Sequence, residues 1–276
     1  MLRRTPWPLL TGLLLCGCLR PSGARLPILT APAYDSPAPY LSLPPAFEDR
    51  LLYYNAFELP DGAPEICDRR LAQPVKLETR ADGARGRCAM TGTGKELQLR
   101  SDAFSPHLPL TVSFWWALQQ DAKADGGFGL VQLSGKQGYV SHFSRGKGEW
   151  CALRRPAGIL QVYHFPGIQN VNGIYDDDWM AHLDLKAGAW HHTALAFNGA
   201  SLVEVYTDGR LAWKVRLRGR PFRSDDQLHS LSIGTRSGTA MAIDEVLVLR
   251  RALAAGEIAD YVAALRHMRE VGYPDR

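Results

Sequence analysis

The densest group of hard oxygen donors in the chain is Asp176-Asp177-Asp178, preceded by Asn170, Asn172 and Gly173. Carboxylates and amide carbonyls carried on a loop are the donor set that suits Ca2+. The spacing is not that of an EF-hand, so the competing reading is a solvated acidic turn. Ca2+ is the one cofactor the residues suggest, and nothing in the sequence requires it. The same stretch carries Trp150, Tyr163, Phe165, Tyr175 and Trp179. A sugar has apolar faces as well as hydroxyls, so an aromatic ring beside amides and carboxylates makes a carbohydrate platform. Trp179, next to the Asp run, is the best placed, with Trp150, Tyr175 and Asn172 as companions. Tyr163 and Phe165 read as core fillers.

Catalysis finds little support in the residues. A glycoside hydrolase needs two carboxylates flanking the scissile bond, about 5–5.5 Å apart for retention of configuration. A Glu-x-Asp-x-x-Glu arrangement along one strand is absent, and Glu204 has only Asp208 at the required spacing. No Gly-x-Ser-x-Gly elbow occurs. His191 and His192 are adjacent on an expected strand, so they point to opposite faces and cannot jointly hold one ion. Asp244 and Glu245 are expected to diverge in the same way, with Asp244 a buried hydrogen-bond acceptor. The reading is a binding module, with no catalytic residue assigned.

The elements that would position these groups are strands. Val112, Phe114, Trp116 and Leu118 alternate with Thr111, Ser113, Trp115 and Ala117, and Leu130–Leu133, Tyr139–Phe143 and Ile159–Tyr163 are further short runs between Gly or Pro. In the stretch Leu211–Leu217 the pattern places Leu211, Trp213, Val215 and Leu217 on one face. Ala212, Lys214 and Arg216 take the other. Asp208-Gly209 joins this strand to Leu202–Thr207 in a tight antiparallel hairpin. Ile258, Tyr261, Val262, Leu265 and Met268 fall at helical spacing before Gly272, which predicts one short C-terminal helix covering an edge or end of the sandwich. No internal repeat is visible.

The chain's 276 residues are 46% hydrophobic and 22% charged, a globular composition. The formal charge is +4, with Arg3 and Arg4 in the leader and the other cations scattered, so there is no electrostatic case for nucleic acid. Arg3, Arg4 and the apolar Leu9–Leu15 make an export signal too short to cross a bilayer. Leu15-Cys16-Gly17-Cys18 is similar to a bacterial lipobox, which implies residues 1–17 as signal peptide and lipidation at Cys18. Cleavage after Ala24 is the alternative. Residues 18–47 are rich in Pro, Ala and Ser and read as a tether. The expected location is the cell envelope, as an outer-membrane lipoprotein held to the membrane through its N-terminal lipid anchor; the alternative is a secreted or periplasmic protein. Cys67, Cys88 and Cys151 remain in the mature chain, with Cys67–Cys88 the preferred disulfide and Cys88–Cys151 open.

Three ordered segments carry a family resemblance. Leu110-Thr111-Val112-Ser113-Phe114-Trp115-Trp116 comes first. Ala189-Trp190-His191-His192-Thr193-Ala194-Leu195-Ala196-Phe197-Asn198-Gly199 follows, with Val205-Tyr206-Thr207-Asp208-Gly209 after it. Leu231-Ser232-Ile233-Gly234, Ala242-Ile243-Asp244-Glu245-Val246 and Arg251–Ile258 close the series. Together they resemble the laminin G-like, concanavalin A-like family over about Leu51 to Val262. The resemblance implies an all-β, two-sheet antiparallel jelly-roll sandwich for residues 48–276. Asn198 stands where the family usually has Asp, and Thr207 where it has Val. The signature residues read as scaffold, with Trp190 anchoring the core between the sheets. Gly135–Asp184 matches the family least, and variable loops carry the ligand in this fold. The resemblance therefore implies recognition of a carbohydrate or surface glycoconjugate there. A protein partner for an envelope-anchored accessory subunit is the alternative.

Overall fold

The computed structural model describes residues 28–30, 47, 50–59, 61–71, 76–92, 94–100, 108–121, 128–135, 150–155, 159–164, 186–200, 202–216, 228–234 and 240–271. Along the chain come β1 (Ile28–Thr30), β2 (Leu51–Asn55), β3 (Ile66–Asp68), β4 (Glu78–Arg80), β5 (Cys88–Thr91) and β6 (Leu97–Arg100). Then follow β7 (Leu110–Leu118), β8 (Phe128–Gly135), β9 (Trp150–Arg155), β10 (Ile159–His164) and β11 (Trp190–Phe197). The series ends with β12 (Leu202–Thr207), β13 (Arg210–Arg216), β14 (Leu228–Ile233), β15 (Met241–Leu249) and the helix α1 (Ala255–Val271).

These strands form two antiparallel sheets. The first runs β1-β3-β2-β15-β7-β11-β12-β13, with β5 also pairing to β15 and β4 to β5; the second runs β6-β14-β8-β10-β9. Three residues of the segment read as a tether thus lie in the first sheet, Leu29 opposite Cys67. Phe114, Trp116, Leu195, Phe197, Val205, Ile243 and Val248 of the first sheet meet Leu99, Val131, Leu133, Leu231 and Ile233 of the second in one buried core. Alternation, interrupted in β15 by a register shift between Asp244 and Leu247, puts these residues on one face of each strand, and that face is where the apolar area leaves water.

The opposite face of the first sheet is covered too. Every residue of β7 and of β15 is buried, because α1 lays Ile258, Tyr261, Val262 and Leu265 across Trp115, Ala194, Tyr206 and Leu247. The helix therefore covers a broad sheet face, where the sequence pattern had suggested an edge or end. It is seated by Thr111, whose hydroxyl donates to the Arg251 carbonyl at 2.6 Å and accepts the Leu253 N–H at 2.9 Å.

The Asp208-Gly209 hairpin forms as expected, both residues at positive φ (52° and 80°), the geometry of a turn that follows strand twist. The alternation after it is broken. The register shifts at Val205/Tyr206, so that Val205 pairs with Trp213 and Tyr206 with Leu211. Ala212 is the extra residue of this bulge and enters the inter-sheet core, while Leu211 packs on the helix side. A bulge reverses the facing of one residue without altering the sequence pattern around it.

Two further expectations are corrected. Trp190 is only partly buried and packs against the helix-side cluster; Trp116, fully buried, is the indole between the sheets. Cys67 and Cys88 are free thiols. Cys67 aligns through Tyr53 with Val248, whereas Cys88 adjoins Ala89 opposite Ile243. The two positions are offset along the strands by roughly 13 Å at ~3.3 Å per residue, beyond the ~7 Å a disulfide tolerates. Burial pushes the Cys67 thiol up to about 11 and the Cys88 thiol up to about 12, so both stay protonated at neutral pH.

Candidate functional site

Asn172, Tyr175, Asp176, Asp177, Asp178 and Trp179 lie outside the described residues, as does Cys18. Trp150 opens β9, opposite His164, which in turn is opposite Phe128. That register fixes where the poorly matching segments attach. Residues 136–149 leave β8 at Gly135 and return at Trp150, at the Phe128 end of the sheet. Residues 165–185 leave β10 at His164, the same end. The second sheet thus brings Trp150 and His164 to one end.

The face of that sheet turned away from the core is polar. Leu97, Leu99, Val131, Leu133, Leu231 and Ile233 face inward. Between them Gln98 pairs with Ser232 and Ser232 with Gln132, two amides flanking a buried hydroxyl across three strands. Gln98 donates to Glu96 at 2.5 Å and accepts from Arg100 at 3.2 Å. The sequence signal for this row is the alternation in Leu97-Gln98-Leu99, Val131-Gln132-Leu133 and Leu231-Ser232-Ile233.

The titratable residues of the recognisable motifs gather elsewhere, beneath α1 and the 81–87 loop. Asp244 and Glu245 do not diverge. Glu245 sits in a bulge at φ 51°, where the register with β7 shifts between Asp244 and Leu247, and both carboxylates converge on Arg85. Asp244 Oδ2 accepts the Arg85 N–H at 2.8 Å and Oδ1 accepts the Glu245 N–H at 2.7 Å. The Glu245 carboxylate pairs with the Arg85 guanidinium at 2.5 Å and accepts the Tyr54 hydroxyl at 2.6 Å. Burial, reinforced by Glu245, holds Asp244 well above the usual carboxylate range. Burial also raises Glu245, against the Arg85 charge. Glu65, whose Oε2 accepts the Ala56 N–H at 2.9 Å, is pushed up to about 7 by burial.

The loop can approach this closely because of glycine. A Cβ on Gly83 would lie 2.4 Å from the Arg87 carbonyl oxygen and 2.9 Å from Asp244 Oδ2. The sequence carries no signal for Arg85, since a lone Arg in a Gly-rich turn gives no sign of burial.

The two histidines do face opposite ways. His192 is fully buried against Trp115 and Tyr261, with Nε2 2.8 Å from Ser113 Oγ. Burial pushes it down to about 3, so it is neutral across the physiological range. His191 stacks near Trp116 and lies 3.2 Å from Asp208, which also accepts the His192 N–H at 3.0 Å. Burial would raise Asp208, but these contacts and Arg266 outweigh it and leave it below its ordinary value. Asn198 Oδ1 accepts the Ala200 and Leu202 N–H groups at 2.9 and 3.0 Å, which holds the β11–β12 turn. Among the described residues no group of acidic, His or Cys side chains has a metal-holding arrangement, and no helix is long and apolar enough to cross a membrane.

Comparison with known proteins agrees with this architecture. Residues 91–259 match the Laminin_G_3 family, described as the concanavalin A-like lectin/glucanases superfamily. No curated protein matches the chain. Among solved structures, the binding domain of Paraclostridial Mosquitocidal Protein 1 aligns at TM-score 0.52 and 16% identity, over 78% of this chain and 52% of that one. The Botulinum Neurotoxin serotype G binding domain aligns at 0.48 and 8%, over 78% and 51%. The chain spans about half the length of these structures, and at such identity the likeness is one of fold.

Proposed function

We propose, since the chain belongs to the concanavalin A-like lectin/glucanases superfamily, that it is a non-catalytic module recognising a surface carbohydrate at the rim of its second sheet. The observation that carries this reading is the register that places Trp150, where residues 136–149 return, and His164, where residues 165–185 depart, together at the Phe128 end of the sheet that carries Gln98, Ser232 and Gln132. Amides and hydroxyls in a row suit a polyhydroxylated ligand, and aromatic rings at the rim would supply the apolar contact. The family's description spans carbohydrate binders and carbohydrate hydrolases, so sugar is their common ground. The hydrolytic branch is disfavoured because Asp244 and Glu245, adjacent carboxylates among the described residues, are buried and held by Arg85 and Tyr54. Substrate does not reach them. Asp176, Asp177 and Asp178 are the proposed Ca2+ ligands of the rim, and Cys18 the proposed lipidated residue of an envelope protein.

A glycan array of the wild type, Trp179→Ala and Gln132→Ala tests the site. The expected result is binding by the wild type that each substitution weakens by tenfold or more. Binding that ignores both substitutions refutes the site. No binding in the presence of Ca2+, with an intact fold, refutes the carbohydrate reading in favour of a protein partner.

A further inference from the structure

A second concavity lies on the helix side of the first sheet, between the β12–β13 turn and the middle of α1. Asp208, Gly209 and Arg210 form one wall and Ala259, Ala263, Arg266 and His267 the other. Its floor is set by small residues. The turn meets the helix at near-backbone distance, where a Cβ on Gly209 would fall 3.3 Å from Val262 and 3.5 Å from the Ala259 Cα. Ala259 and Ala263 are exposed and add no bulk.

The charges on this concavity are unevenly compensated. Elsewhere on this side of the first sheet cations come with carboxylates: Lys214 with Glu204 at 3.0 Å, Arg251 with Glu257, and Arg85 with Glu245. Arg266 is held but not saturated. It reaches Asp208 Oδ1 with one nitrogen at 3.2 Å and sits 5.8 Å above the Trp115 ring, with its side chain still 47% exposed. Asp208 is already shared among His191, the His192 N–H and Arg266. Arg210 is exposed and meets no carboxylate among the described residues. An anchored guanidinium lining the same small-floored concavity as a second, uncompensated one is an arrangement for an oxyanion, because each planar fork presents paired N–H donors.

We propose that this groove binds one sulfate or phosphate group, with Arg210 and Arg266 as the donors and His267 at the rim. The position of Arg266 is fixed before the ligand arrives by Asp208 and Trp115, so little of its side-chain freedom remains to be lost. A neutral sugar would draw hydrogen bonds but no charge pairing from two guanidinium groups. The ligand is therefore a different class from that of the second-sheet rim, and the two sites stand or fall separately.

The test is an NMR titration of the folded protein with inorganic phosphate and with inorganic sulfate, following the Gly209, Ala259 and Ala263 amides. Saturable shifts are expected in the wild type. Arg210→Ala should weaken binding about tenfold, as loss of a charge-assisted hydrogen bond does. Lys214→Ala, which removes an equal charge from the same strand outside the groove, should change it less than twofold. Two further arms distinguish the source of the group: a sulfated disaccharide, and vesicles of phosphatidylcholine with phosphatidylglycerol. Tighter Arg210-dependent binding of either one names the source. Shifts that fail to saturate, or equal losses in Arg210→Ala and Lys214→Ala, overturn the proposal.

Discussion

The two faces of the first sheet are both buried, yet they are built on different physics. On the face toward the second sheet, Phe114, Trp116, Leu195, Val205 and Ile243 pack by shape, and the polar exception, Trp116 Nε1, donates to Thr193 at 2.8 Å. On the helix side, Arg85, Asp244, Glu245, Tyr54, His192 and Ser113 are interleaved with Trp115, Tyr206 and Tyr261. The first arrangement depends on volume and is indifferent to protons. The second fixes one placement of the 81–87 loop, because Arg85 and the two carboxylates it meets are costly to bury without each other.

The largest effect expected is on the inter-sheet side. Trp116→Ala should destabilise by about 4 kcal/mol, the loss of a buried indole plus the cavity left behind. The loss should be the same at pH 5 and pH 8 when measured by urea unfolding. A strong pH dependence would break the division between the two faces.

The helix side should respond through pairing. Arg85→Met leaves the Glu245 carboxylate buried with the Tyr54 hydroxyl as its remaining partner, and should cost about 3 kcal/mol. The double substitution Arg85→Met/Glu245→Gln removes the unpaired charge and should recover more than half of that loss. Additive losses in the double-mutant cycle would mean that the ion pair does not hold the loop.

How much of this was legible in the sequence follows the same division. Period-two alternation in Val112–Leu118 and the Asp208-Gly209 turn reveal strands and a hairpin because they are local, and the ordered motif segments reveal the jelly roll. The outer face was not legible, because its contacts join Tyr54, Arg85 and Glu245 across 191 residues. The bulges at Ala212 and Glu245 were hidden for a related reason: each overrides the alternation that a sequence reader must assume. The polar row of the second sheet was written in its alternating residues. The placement of Trp150 relative to the second variable segment needed the β8–β10–β9 register.

The smallest effect is the sharpest probe of the helix side. Glu65 is raised to about 7 in the folded protein from 4.5, so the fold favours its protonated form. That contribution is fully present below pH 4.5 and is lost as the pH rises toward 7. Glu65→Gln keeps an oxygen for the Ala56 N–H and abolishes the titration. Relative to wild type, the variant should therefore gain stability as the pH rises, by about 2 kcal/mol between pH 5 and pH 7. Taking the difference cancels His192, whose depressed value makes both proteins lose stability as the pH falls below 6.5. Urea midpoints across that window measure it directly. A flat difference would show that Glu65 titrates alike in the folded and unfolded chains, and that the protons stored on this face belong to Asp244 and Glu245 instead.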